Sequence, residues 1–303
     1  MTEFLEALVR GLGSGSAYAL LALGFVIIYK SSGVISFAQP SFLLTGAVIA
    51  SYVGPAIGFV LITGLSFFIS LAAAAVLTAI LALVIERLAI RPMVGRPVFV
   101  IAIITIGIDI VVRVVTSGFI GLGSRPIPNP WGLERLTIFG LRVQERHLVM
   151  LATLAVVVAA LLWFYRSTRY GLAMRAAAFD QEAALTQGVS VGSVFAISWA
   201  LAGAMAAIAG TLLATSVGVD RQLWLIALVA LPAIIVGGLD SLPGAVVGGL
   251  AVGVVEALVG NYQRDLAPWL GANFAQVSPY VLMLLVLLAR PYGLFGTPEV
   301  RRV

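Results

Sequence analysis

The chain has 303 residues, of which 61% are apolar and 10% charged, with a mean hydropathy of +1.11 and a formal charge of +5. A soluble domain is about half apolar and about a quarter charged, so no aqueous fold can hide this much hydrocarbon. The absence of cysteine excludes disulfides, iron–sulfur ligation and thiol catalysis; the single histidine, His147, excludes a histidine metal cluster and a Ser-His-Asp arrangement; and basic residues dispersed at the ends of apolar runs exclude a nucleic-acid surface.

A spanning helix needs about 20 predominantly apolar residues. Runs of this kind, bounded by charge, Pro and Gly, predict nine spans, with eight to ten as the range: 7–29, 34–54, 58–86, 98–116, 147–165, 193–216, 223–239, 243–260 and 278–290. The expected fold is therefore all-α, a polytopic transmembrane helical bundle forming one transmembrane domain over 1–303. The first run is too long for the apolar core of a cleavable signal and lacks a small-residue cleavage site, so it is read as a span. The third is long enough to tilt or kink, and the seventh carries Pro232 in mid-helix, where a backbone donor is lost.

Lys and Arg near span ends set orientation. With nine spans, Lys30, Arg87, Arg91, Arg96, Arg166, Arg169, Arg175, Arg290, Arg301 and Arg302 share one side, which is expected to be the cytoplasm. The N-terminus then lies outside and the C-terminus inside. The opposite loop, 117–146, carries Arg125, Arg135, Arg142 and Arg146, partly balanced by Glu134 and Glu145, and its Gly121, Gly123, Pro126, Pro128 and Pro130 exclude a regular helix.

Polar groups inside the apolar runs are the first candidates for function. Phe37, Gln39, Ser41 and Thr45 place an amide and two hydroxyls beside an aromatic ring near the start of the second span, next to Gly33 and Pro40. A solute path needs weak, exchangeable contacts of this type, and irregular backbone at membrane depth must be buried or line water. The alternative is that Ser41 and Thr45 bond across helices or back to their own backbone. Asp109 and Arg113 stand four apart on one helix face and are expected to pair. Glu256 either bonds a neighbouring helix or faces the path. His147 reads as an interfacial residue, and Trp163, Tyr165, Trp224, Tyr262 and Trp269 as headgroup-level anchors. Small-xxx-small spacings within Gly11–Gly15, Gly203–Gly210 and Gly244–Gly253 predict close helix contacts.

Residues 166–191 form a polar interruption on the cytoplasmic side, too long for a turn. Leu172, Ala176, Phe179 and Ala183 follow one-face helical spacing, and Gly188 sits where a helix would end. The run of alanines suits a helix seated in a partner's groove, while a helix resting on lipid headgroups fits the residues alone equally.

The stretch Tyr170-Gly171-Leu172, Met174-Arg175-Ala176, Asp180, Ala183-Ala184 and Gly188, running into Ala202-Gly203-Ala204-Met205 and Gly210, resembles the permease subunits of branched-chain and hydrophobic amino-acid ABC importers. So do Gly33 to Pro40 with Thr45-Gly46-Ala47, Val236 to Ala245 with Gly248-Gly249 and Glu256, and the tail Arg290-Pro291 with Gly293 to Gly296. The departures are Gln39-Pro40 where His-Gly is usual, and Asp240 where Gly is usual. The resemblance implies two cytosolic ATPases, a second membrane subunit that is a paralogue or another copy, and an external solute-binding protein. It also implies a bacterial inner membrane, that Gly171, Arg175, Ala176, Phe179, Asp180, Ala183 and Gly188 form the segment that docks on an ATPase, and that the cargo is a small amphipathic solute, with branched-chain or hydrophobic amino acids leading. No cofactor or metal is expected. No phosphate-loop pattern GxxxxGKS/T occurs, so energy is expected from the partners. The competing reading is an ion-coupled secondary carrier or channel acting without an ATPase.

Overall fold

The structure is a computed structural model that describes residues 2–58, 63–93, 95–121, 123–131, 135–138, 140–179, 181–270 and 273–297. The helices are α1 (Thr2–Ser32), α2 (Gln39–Gly58), α3 (Thr63–Ile85), α4 (Val98–Gly118), α5 (Glu145–Ser167), α6 (Arg169–Phe179), α7 (Gln181–Thr186), α8 (Val191–Val217), α9 (Ala230–Gly237), α10 (Leu242–Leu266) and α11 (Phe274–Ala289). Seven of them are long and apolar enough to cross a bilayer, and two shorter apolar segments, Leu223–Gly237 and Phe274–Ala289, coincide with the remaining predicted runs.

The bundle is organised around α1. From Ala17 to Ile28 every residue of α1 is buried, as expected for a helix that is apolar all round. Its first half lies on α10 through the predicted small residues: a Cβ on Gly11 would meet Val254 Cα at 2.6 Å, and one on Gly253 would meet Gly15 Cα at 2.3 Å. Backbone contact of this closeness replaces the hydrophobic driving force that lipid cannot supply. Similarly α8 packs on α2, with Gly46 against Ala207 and Gly210 against Leu43, and on α3, with Gly203 against Ala82 and the Thr78 carbonyl. The outward faces of α3, α4, α5 and α11 carry exposed Phe, Ile, Leu and Val, including Phe68, Ile103, Val156 and Leu284, as a hydrocarbon solvent demands.

The loop at 117–146 spans one end of the bundle. Pro128 lies on Gly54 of α2, Trp131 on Phe67 of α3, and Arg125 exchanges backbone hydrogen bonds with Val219 after α8. The loop is not wholly irregular: Arg135–Ile138 (β1) and Leu141–Gln144 (β2) form an antiparallel hairpin in which Arg135 faces Gln144, turned at Gly140 with φ +82°. At the opposite end, Lys30 of α1 donates to the Asp240 carbonyl at the α9–α10 corner (2.9 Å).

The seventh predicted run connects these ends as a 3₁₀ segment, Leu223–Val229, followed by α9. It starts beside Gly121, which Arg221 contacts at 2.8 Å, and ends at Gly238, against Gly296. The greater rise of a 3₁₀ turn, about 2.0 Å per residue, lets few residues cover this distance. Pro232 falls in the first turn of α9, where its missing N–H has no intrahelical partner to lose, and not in mid-helix.

Candidate functional site

Gly33, at φ +69°, ends α1, and residues 33–38 lead without helical structure into α2. This entry is held by one face of α4. The Phe37 N–H donates to Thr105 Oγ1 (3.0 Å), the Ser41 N–H to Asp109 Oδ1 (2.9 Å), and Thr45 Oγ1 lies 3.0 Å from Thr116 Oγ1. The first N–H groups of a helix have no intrahelical acceptor, and in hydrocarbon each would be costly, so a carboxylate from α4 meets both that need and the helix dipole. Arg113 lies 3.3 Å from Asp109 Oδ2, with its guanidinium carbon 3.8 Å above the Trp224 ring. Trp224, part-buried, is thus a cation–π partner of Arg113, and Tyr165 is buried, whereas Trp163 and Trp269 are exposed.

The structure brings together three of the five residues read as lining a path. Phe37 is half-buried, and Ser41 and Thr45 face α4. Both hydroxyls bond back to the chain, Ser41 to the Ala38 carbonyl (2.8 Å) and Thr45 to the Ser41 carbonyl (2.7 Å). Gln39 has 0% exposure and lies between α1 and α8, where a Cβ on Gly24 would meet its Nε2 at 3.0 Å. Neither amide atom of Gln39 has a hydrogen-bond partner among the described residues. Glu256 belongs to a different seam, on α10 against α1, where it accepts from Tyr18 (2.7 Å).

The polar interruption forms two helices, α6 and α7, and Asp180 between them lies outside the described residues, as do Glu134, Arg301 and Arg302. Gly171 is buried because α6 turns tightly on the end of α5: a Cβ there would meet the Phe164 carbonyl at 2.3 Å. Met174, Ala177 and Ala184 face the bundle, while Leu172, Arg175, Ala176, Phe179 and Ala183 face away. Phe179 is 95% exposed. Gly188, at φ +80°, terminates α7, with the Val189 N–H reaching back to the Ala184 carbonyl (3.0 Å) as in a Schellman cap. An open cleft of about 340 Å³ separates Phe179 and Ala177 from Tyr29, Lys30 and Asp240.

Two relationships were not anticipated from sequence. Glu86, 1% exposed, pairs with Arg91 (3.2 Å), whose guanidinium also donates to the Gly192 carbonyl at the start of α8 (2.7 Å). The two residues are five apart, a spacing that faces only in a π-helical turn, and Glu86–Ile90 is one. In addition, the tail folds back: the Leu294 and Phe295 N–H groups donate to Val236 and Gly237, and Thr297 donates to the Asp240 carboxylate. Asp240, the departure from the glycine usual there, therefore anchors the tail.

A multi-pass helical bundle with an irregular helix entry and an exposed helical pair at one end defines a membrane transport subunit. The family model for the branched-chain amino acid transport system permease component matches residues 7–288, and the chain belongs to that family. Relatives include the high-affinity branched-chain amino acid transport system permease protein LivH of Salmonella typhimurium and of Escherichia coli, each 31% identical over 99% of this chain and 98% of the relative. BraD of Pseudomonas aeruginosa is 30% identical over the same shares of the two chains. A solved structure described as PsaBC from Streptococcus pneumoniae in complex with Fab aligns at TM-score 0.47 and 12% identity, over 94% of this chain and 92% of that chain.

Proposed function

We propose that the chain is the membrane subunit of an ABC importer carrying branched-chain or similar hydrophobic amino acids into the cytoplasm. Two ATPases, an external solute-binding protein and a second membrane subunit, paralogous or identical, complete the assembly. Residues 1–303 act as one permease domain, the loop 117–146 lies outside with the N-terminus, and 166–191 couples to an ATPase in the cytoplasm together with the C-terminus.

The observation that carries this reading is the outward face of α6 and α7, where Leu172, Ala176, Phe179 and Ala183 stand exposed on a segment that is not part of any span. Exposed apolar surface on a short helix beside Arg175 suits a groove in a second protein, with Asp180 and Gly188 completing the segment and Gly171 fixing its angle to α5. The solute path follows the α2 entry, with Phe37 as the half-exposed contact, Ser41, Thr45 and Gln39 setting the polarity behind it, and Glu256 a separate polar point on α10.

An ion-driven carrier receives less support, because Glu86, Asp109 and Glu256, carboxylates within the apolar spans, already have partners in Arg91, Arg113 and Tyr18. Uptake by the purified chain in vesicles separates the two. Solute entry that requires ATP and added ATPase subunits is the expected result, and uptake driven by an ion gradient through the chain alone would overturn the proposal.

A further inference from the structure

At the end of the bundle that carries the loop 117–146, a cavity of about 210 Å³ opens between the first turns of α1, the hairpin and the start of α5. It is lined by Glu6, Arg10, Arg142, Arg146 and His147 among others. The hairpin is tied to α1 by the Arg142 N–H, which donates to Glu6 (2.9 Å), and α5 is brought in by Gly13, where a Cβ would meet His147 at 2.5 Å. The walls are thus built by three elements.

The positive charge of Arg10, Arg142 and Arg146 exceeds the acidic charge of the lining, where Glu6 stands alone and makes no ion pair among the described residues. The ion pairs among the described residues are Glu86–Arg91 and Asp109–Arg113, neither of which is here. Arg10 bonds the neutral Asn261 (3.2 Å), and Arg146 Nε is buried without a hydrogen-bond partner among the described residues. Gln144, at the start of α5, gives that helix no side-chain cap, and Glu145 is the acidic residue of its first turn. The three guanidinium groups are donors only, outnumber the single carboxylate of the lining, and are matched by an anion with several acceptor oxygens.

Depth identifies the anion. With 23 residues, α5 is about 34 Å long against a hydrocarbon core of about 30 Å, so Arg146 and His147 sit at headgroup level. Phe4 and Leu5, on the turn of α1 next to Glu6, are exposed and give an apolar flank at that depth. We propose that this basin binds the phosphate of an anionic phospholipid, held by Arg10, Arg142 and Arg146, with an acyl chain along the exposed residues of α1. Assignment to the outer leaflet rests on the orientation given above; the site itself does not.

Native mass spectrometry of the full chain in non-ionic detergent, titrated with phosphatidylglycerol or phosphatidylcholine in the presence of inorganic phosphate, tests this. Phosphatidylglycerol should be retained about tenfold more strongly, the equivalent of one charge-assisted contact. The preference should vanish in Arg10→Gln/Arg146→Gln and persist in Arg221→Gln, which alters an arginine outside the basin. If the double variant does not fold, Arg142→Gln, at an exposed side chain, should reduce the preference instead. Equal retention of the two lipids, competition by inorganic phosphate at equal concentration, or a preference unchanged in the variants would overturn the proposal. So would a double variant that keeps its lipid but no longer captures the external binding protein, which would assign the arginines to a protein carboxylate.

Discussion

The Asp109 carboxylate on α4 accepts the Ser41 backbone N–H at the start of α2, 2.9 Å away, while its second oxygen lies 3.3 Å from Arg113. One acidic side chain thus both terminates the irregular entry and keeps an arginine neutralised within an apolar span. Removing either charged partner leaves the other without its counter-charge. Asp109→Ala and Arg113→Leu should each lower stability by about 1–3 kcal/mol, and the double replacement should cost less than the sum. Thermal unfolding of the purified chain in detergent measures the cycle, and strict additivity would show that the pair is not coupled.

Arg91 joins the π-helical turn after α3 to the first turn of α8, directly after the α6–α7 segment. Arg91→Ala should cost about 1–2 kcal/mol because Glu86 is left buried without its cation. Solute-stimulated ATP hydrolysis by the assembled importer should fall more than binding of the ATPase subunits does. A loss of hydrolysis in proportion to lost assembly would reduce Arg91 to a packing role.

Gly253 faces Gly15 so closely that any side chain forces α1 and α10 apart. Gly253→Leu should destabilise the bundle by about 1–3 kcal/mol or more, since overpacking cannot relax where both neighbours are backbone. The yield of monodisperse protein after extraction reports it. Gly107, which has nothing within 4 Å of its Cβ position, should accept alanine without loss.

Ala183 lies on the outward face of α7. Ala183→Glu should abolish solute-stimulated ATPase activity while the subunit still inserts and folds, because a bulky charge prevents seating in an apolar groove. Unchanged stimulation would remove this residue from the coupling surface.

The spans were legible because hydrocarbon solvent imposes both composition and length, and the α6–α7 segment because it interrupts that pattern with Arg166, Arg169 and Arg175. The end of α7 was legible in Gly188, since a left-handed cap favours glycine. What escaped depends on non-local geometry. Thr105, Asp109 and Thr116 share a face by spacing alone, yet nothing in that spacing says that the face meets backbone N–H groups of α2. Glu86 and Arg91 looked unrelated because helical pairing is sought at three or four residues, and only the local π-turn makes five a contact. The hairpin was missed because its four-residue strands carry too little alternation to stand out in a Gly- and Pro-rich loop. Pro232 was read as an interruption because the 3₁₀ segment before it moves the helix start, which sequence does not mark.

The proposed coupling requires α6 and α7 to stand in the cytoplasm, gripped by a partner. Because the chain has no cysteine, Phe179→Cys introduces a single thiol at the most exposed large apolar side chain among the described residues. Labelling with a membrane-impermeant maleimide should occur in inverted vesicles and not in intact cells, and should be blocked when the ATPase subunits are assembled. Labelling from the outside of intact cells, or labelling in inverted vesicles that assembled ATPase leaves unchanged, would contradict that placement.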